Sequence, residues 1–261
     1  DVLKRMHQGK SWWHANDTWP IHQQMIQKHN LPSKSYRYYS RQGNCFDFEN
    51  MIEDLSKLEK GDLVIIQPAG QNPTGYDPSP EQWMVVVDII ISRGAYPVLD
   101  FAYLGYGTGS IEKDALVTRI LLDKNVRFAM CLSCSKNFGL YSARVGCAAF
   151  FETSYLDREK TKSTLSRSIT NFYKGPSKMG AEIICNILSS NNLKQEWLAN
   201  LSTMNHRIQG CRYKLKKLLE ENDTEKKTGK WNFITEQHGM FAYMGFTPEK
   251  VDCLRADDAI Y

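Results

Sequence analysis

Several features common in proteins are missing from this 261-residue sequence, and each absence removes a class. No uninterrupted apolar run reaches roughly 18 residues, the length needed to cross a bilayer, so no membrane-spanning helix is expected. The opening Asp1-Val2-Leu3-Lys4-Arg5 lacks the apolar centre of a secretory signal peptide. The seven cysteines are odd in number and fall without framework spacing, which points to a reducing compartment. Cys131-x-x-Cys134 has no second Cys/His pair with which to complete a metal site. It lies in an apolar, strand-like run, where packing is the better reading and no metal is expected. Charge of one sign is scarce too: 33 Lys and Arg against 29 Asp and Glu leave +4. The basic clusters at 212–217 and 226–230 read as solvated helix or loop surface rather than a nucleic-acid patch. There is no internal repeat and no low-complexity segment.

What is present is a composition 42% hydrophobic, enough for a sizeable core in one large domain, or one and a half. Residues 61–69 (GDLVIIQPA) have an apolar strand centre and run into a turn at Asn72-Pro73-Thr74-Gly75. A helix is predicted over about 80–93, with Pro80 in its first turn and Gly94 just past its end. A short strand follows at 96–100, a second helical stretch at about 111–124, and a strand at 126–133. Strands alternating with helices of this length predict a largely parallel sheet covered by helices. Such sheets place ligands at the carboxyl ends of their strands, and the polar clusters after Ala69, at Asp100 and after Ser133 all fall there. Beyond residue 190, Trp197, Leu201, Met204, Ile208, Cys211, Leu215 and Leu218 step by fours and threes, predicting one long amphipathic helix. A strand pair around Gly239 (231–236 with 240–244) and a short helix opened by Thr247-Pro248-Glu249 are expected after it. The final Ala259-Ile260-Tyr261 reads as an apolar beginning that is cut short.

Three motifs carry chemistry. In Ser133-x-Ser135-Lys136-Asn137-Phe138-Gly139-Leu140-Tyr141-x-x-Arg144-x-Gly146, a lysine just past a strand end is flanked by hydroxyls and followed by an arginine. Lysine forms Schiff bases with aldehyde cofactors, and hydroxyls with a guanidinium hold phosphate by charge-assisted hydrogen bonds. The plain reading is a surface lysine in a polar loop. Asp100-x-x-Tyr103 puts a carboxylate at an apolar strand end, costly unless it meets a cation. A protonated pyridine nitrogen is such a cation; a helix cap or turn aspartate is the plain reading. Asn72-Pro73-Thr74-Gly75 is either a simple turn or a loop presenting the Asn72 amide as a donor.

In this order, on three strand ends, these motifs resemble the fold-type I pyridoxal-phosphate-dependent aminotransferases, and the aspartate aminotransferase subgroup in particular. Asn16-Asp17-Thr18-Trp19-x-x-His22, Tyr36-Arg37-Tyr38-Tyr39, Phe46-Asp47-Phe48-Glu49, Pro80-Glu81-Gln82-Trp83 and Gly239-Met240-Phe241 extend the resemblance over nearly the whole chain. It implies pyridoxal 5'-phosphate as cofactor, with Lys136 holding it as a Schiff base and moving a proton at the substrate α-carbon. Asp100 would pair with the pyridine nitrogen. Tyr103 and Asn72 would bond the ring oxygen, Ser133, Ser135 and Arg144 would bind phosphate, and Trp19 would cover the ring. His22 would lie near Asp100 in a second layer, or be a plain core histidine.

The implied fold class is α/β: a largely parallel mixed sheet with helices on both faces, a long connecting helix and part of a small α+β domain. The implied domains are a large cofactor-binding one at 1–190, incomplete on its N-terminal side, the connecting helix at 191–222, and the start of a small domain at 223–261. The resemblance also implies amino-acid and 2-oxo-acid substrates of the aspartate/2-oxoglutarate type, a homodimer, no nucleic-acid or membrane partner, and a cytoplasmic location with the mitochondrial matrix as the other choice.

The sequence departs from the family in four places. The glycine-containing phosphate loop, the first sheet strand and the tyrosine reaching the partner's cofactor belong upstream of Asp1. The arginine that clamps the substrate α-carboxylate belongs beyond Tyr261. Thr170 stands where the dicarboxylate-specific enzymes carry an arginine for the neighbouring subunit's substrate, with Arg167 three residues earlier. Asp17 stands where a proline, often cis, is usual, an exchange expected to loosen the loop carrying Trp19. These departures keep a second reading open, a catalytically impaired paralogue with a structural or binding role. A lyase or racemase of the same fold type fits the surrounding signatures less well.

Overall fold

The structure, a computed structural model, describes residues 1–223 and 229–260. Residues 226–228 of the second basic cluster, and Tyr261, lie outside the described residues. The chain forms eight strands among these: β1 (Trp12–Ala15), β2 (Ser33–Tyr36), β3 (Tyr39–Ser40), β4 (Cys45–Phe46), β5 (Leu63–Ile66), β6 (Tyr96–Phe101), β7 (Phe128–Ser133) and β8 (Gly146–Phe151). Six of them make one sheet in the order β2-β1-β5-β6-β7-β8, and β3 with β4 makes a small antiparallel ribbon. All neighbours in the large sheet are parallel except β7 and β8. The strand order reverses between β1, which feeds β2 on one side, and β5, which starts the run on the other. Such a reversal opens a crevice at the carboxyl ends of the strands.

Both faces of the sheet are covered, which is why β5 reads LVII without polar alternation and is buried throughout. Val64, Ile66, Leu99 and Phe101 pack on one face with Trp83, Val86, Val87, Ile90, Val117 and Leu121 of the crossover helices. Leu63, Ile65, Tyr96 and Val98 point the other way and pack with Ile26. The period of two divides one apolar run between two layers.

The helix Pro80–Arg93 links β5 to β6 as its sequence predicts. Ser79 caps it, accepting from Gln82 N while the Gln82 side chain accepts from Ser79 N, and Gly94 closes it at φ 65°. Loss of that cap by Ser79→Ala costs roughly 0.5–2 kcal/mol. The stretch expected as one helix at 111–124 is two, Ile111–Asp114 and Leu116–Asp123. The break follows Asp114, whose carboxylate turns back to accept from the amides of Gly105, Gly107 and Thr108 at 2.7, 3.0 and 2.9 Å.

The long helix runs from Asn191 to Glu221, 31 residues, about 46 Å at 1.5 Å per residue. Its buried residues are Leu201, Asn205 and Arg212, while Met204, Leu215 and Leu218 of the apolar stripe are exposed. The expected strand pair after it does not form. Phe233–Glu236 is a helical turn, and 240–244 has no regular structure. Side chains satisfy the backbone groups that a ladder would have used. Arg212 donates to the carbonyls of Ile234, Gly239 and Phe241. Gln237 donates to Tyr243 O at 2.9 Å and accepts from Tyr243 N at 2.8 Å. Gly239 sits at φ 71° against the backbone of Gly70, where an added Cβ would lie 2.8 Å from Gly70 Cα. Only glycine tolerates both the conformation and the approach.

Candidate active site

The crevice at the strand ends collects side chains from four loops. Asp100, the fifth residue of β6, receives His22 from the helix Pro20–Lys28, with Nε2 3.0 Å from Oδ2. The other ring nitrogen, Nδ1, lies 2.8 Å from Thr18 Oγ1. An ionised carboxylate only accepts, so Nε2 carries the proton. Thr18 then donates to Nδ1 rather than to Gln67 Oε1, which is 3.5 Å away. Gln67, just past β5, donates to the same Asp100 oxygen at 3.5 Å. His22 and Thr18 are buried. The two readings of His22 therefore merge: it is a core histidine and it is Asp100's partner.

The loop after β5 is built by its own polar side chains. Asp77 accepts from the amides of Gly70 and Gln71 at 2.7 and 3.0 Å. Gln71, buried, accepts from Thr74 N at 2.9 Å and donates to Asp17 O at 2.7 Å. Burial pushes the Asp77 carboxyl up to about 7, against the two amides and with a further push from Asp114. This loop, whose Asn72–Pro73 peptide is cis, aims Asn72 Nδ2 at Tyr103 OH, 3.5 Å away. Tyr103 is buried, and burial raises its phenol above the ordinary value while the Asn72 bond lowers it. Phe241 meets the Tyr103 ring edge-on, centroids 5.2 Å apart.

Lys136 lies in the loop after β7, its Nζ 5.0 Å from the Tyr103 ring centroid and 5.5 Å from that of Tyr141. Ser135 is buried, and its amide donates to Ser133 Oγ at 3.3 Å. Arg144, in the left-handed region at φ 48°, is exposed and donates to Tyr141 O at 3.4 Å. Trp19 is 42% exposed and stands edge-on to His22, centroids 5.6 Å apart. The structure thus brings Asp100, His22, Thr18 and Gln67 into one cluster and Asn72, Tyr103 and Lys136 into another, with Arg144 and Trp19 exposed.

Two expectations change. The Asp17 loop is tied down, because the buried Asp17 carboxylate accepts from Arg41 Nη2 at 2.7 Å and its amide donates to Asn16 Oδ1 at 2.9 Å. Cys134 is buried as packing requires, but Cys131 is exposed and is the cross-strand neighbour of Asp100. Sequence reasoning passed over Gln67 and Gln71, although a polar residue closing the LVII run was a visible signal. Among the described residues no group of three His, Cys, Asp or Glu is placed to hold a metal, and no helix is long and apolar enough to cross a membrane.

The chain matches the family model for aminotransferase class I and II over residues 2–261. It is 34% identical to the mitochondrial aspartate aminotransferase of Dictyostelium discoideum over 261 residues, covering all of this chain and 61% of that protein. It is 32% identical to the aspartate aminotransferase of Escherichia coli, again over the whole chain and 65% of the relative. Its structure is similar to that of the aromatic-amino-acid aminotransferase from Burkholderia pseudomallei covalently bound to pyridoxal phosphate, with a TM-score of 0.94, 32% identity, and coverage of 100% of this chain and 64% of that one. The chain therefore spans less than two thirds of the length of these relatives. A family match over nearly every residue, on a sheet that superposes with solved members, leaves one assignment: the chain belongs to the class I and II aminotransferases.

Proposed function

We propose that this protein carries out pyridoxal-phosphate-dependent transamination of an amino acid with a 2-oxo acid. The observation that carries the reading is the placement of Lys136 Nζ over the Tyr103 ring, with Asn72 on the Tyr103 hydroxyl and the Asp100–His22 pair on the neighbouring strand end. The donor set fits the cofactor. A partly buried carboxylate suits a protonated ring nitrogen, two donors suit a ring oxygen, and Ser133, Ser135 and Arg144 suit a phosphate. The chemistry supplied on binding is an aldehyde for the lysine amine and an electron-withdrawing ring.

The chain's own residues account for the rest. Lys136 holds the cofactor and carries the proton at the substrate α-carbon, a positioned transfer worth roughly 10²–10⁴-fold. His22 orients Asp100 through its Nε2, and Thr18 holds the other ring nitrogen in place. Asn72 and Tyr103, 3.5 Å apart, would hold the ring oxygen, and Trp19 would cover the ring. The substrate class is amino acids of the aspartate type, with the choice against aromatic amino acids set around Thr170 and Arg167. A homodimer is supported by exposed apolar residues on and beside the helix Tyr155–Phe172, among them Leu156, Phe172, Tyr173 and Met179. A cytoplasmic location, or the mitochondrial matrix, is supported by seven free cysteines.

The test is spectroscopic. Protein loaded with pyridoxal phosphate should absorb as a lysine adduct, and borohydride reduction should map the cofactor to Lys136. Lys136→Ala should abolish the band. An unchanged spectrum in the variant, or an adduct on another lysine, overturns the assignment.

A further inference from the structure

The loop bearing Lys136 is not held by its own strand alone. Trp197, near the start of the long helix Asn191–Glu221, donates its indole Nε1 to Asn137 O at 2.7 Å. Its ring stacks on Phe138, with centroids 4.3 Å apart and planes 10° apart. The two residues that follow Lys136 are thus gripped by one side chain from sixty positions further along the chain. The carbonyl of Lys136 itself accepts from Tyr106 OH at 3.2 Å. Tyr106 is in turn fixed by Asn205 Nδ2, which donates to Tyr106 O at 2.8 Å. Trp197, Leu201 and Asn205 recur every fourth residue and so share one helix face. The opposing loop has given up side chains to admit that face. An added Cβ at Gly105 would lie 3.2 Å from Leu201, and one at Gly109 would lie 3.1 Å from Asn205 Oδ1.

We propose that Trp197 is a positioning residue for Lys136: by bonding the Asn137 carbonyl and stacking on Phe138 it sets where the lysine amine stands over Tyr103. This rests on the reading of Lys136 as the cofactor lysine and goes beyond it, since Trp197 acts through Asn137 and Phe138. A lysine that moves a proton between two fixed carbons needs its backbone held to a fraction of an ångström. The side chain's own rotatable bonds cannot supply that. The indole supplies a directional bond and a flat stacking surface from a rigid helix.

The experiment compares Trp197→Phe, which keeps an aromatic surface and removes the N–H, with Leu219→Ala, which weakens the packing of the same helix against Phe233 and Ile234 at its other end. Both are measured on protein loaded with pyridoxal phosphate. The readouts are the pH midpoint of the lysine-adduct absorbance, kcat and KM separately, and Tm. Trp197→Phe should shift the midpoint by on the order of half a pH unit and lower kcat about 5- to 10-fold with KM nearly unchanged. Leu219→Ala should lower Tm and leave the midpoint in place. A wild-type midpoint and kcat in Trp197→Phe, or equal midpoint shifts in both variants, overturns the positioning role. Absence of a lysine adduct in wild-type protein overturns the parent reading of Lys136, and this inference with it.

Discussion

Nε2 of His22 lies 3.0 Å from Oδ2 of Asp100, joining residues 78 positions apart. His22 is 3% exposed and the Asp100 side chain 20%, so the pair is largely shielded from water, a setting in which a hydrogen bond to a charged group is stronger than at the surface. Thr18 on the far side of the ring leaves the imidazole one orientation. Replacing His22 by Leu should therefore weaken pyridoxal phosphate binding and lower kcat/KM together. A lost charge-assisted bond of roughly 1.5–3 kcal/mol corresponds to about 10- to 150-fold. Cofactor titration followed by fluorescence checks it, and a change below about twofold would contradict the assigned role.

Thr170 and Arg167 are both exposed on the helix Tyr155–Phe172, one turn apart, and Thr170 spends its hydroxyl on Ser166 O at 2.9 Å. A threonine cannot pair with a substrate carboxylate. Thr170→Arg should raise kcat/KM for aspartate relative to phenylalanine, and a gain of about 2–3 kcal/mol is roughly 30- to 150-fold. If Arg167 already serves, wild-type protein prefers aspartate and Arg167→Ala removes the preference. A strong wild-type preference that survives Arg167→Ala refutes both.

Asp77 sets a pH dependence of stability. Its folded value of about 7 is raised above the unfolded value of about 4. The folded state therefore binds the proton more tightly. The stabilisation is fully present below about pH 4 and is lost as the pH rises through about 7. Urea midpoints should show wild type losing stability relative to Asp77→Asn between pH 5 and 8, on the order of the window set by these two values. Parallel pH profiles for the two proteins would rule the linkage out.

Phe172 and Met179 are 65% and 72% exposed, with Tyr173 between them also exposed. Burying such side chains stabilises by about 1.5–3 kcal/mol each. Phe172→Glu with Met179→Glu should convert a dimer to a monomer at micromolar concentration by light scattering. The adduct absorbance of each protomer reports whether folding survives. A wild-type monomer, or a doubly substituted protein that remains dimeric, removes this face from the interface.

What could be read from residues alone were the features written into neighbouring positions. Pro80 and Gly94 bounded a helix because their backbone preferences act within a turn or two. The LVII run marked a strand buried on both faces, and the motifs at Asn72, Asp100 and Lys136 lay at strand ends in the order the sheet uses. The strands β1, β2 and β8 went unread because runs of four to six residues, some with small or charged side chains, carry little periodicity. The roles of Asn205, Arg212 and Trp197 were invisible for a different reason. Each is a polar or amphipathic residue whose partner lies far along the chain, and buried polar groups are worth what their partners make them. Arg212 reads as one more charge in a basic cluster until it is seen buried against four carbonyls, where it displaces a strand pair that the local pattern favoured. Local chemistry determined which residues could do the work; tertiary packing decided which of them were held still enough to do it, because a side chain's position is set by contacts that sequence neighbours do not contain.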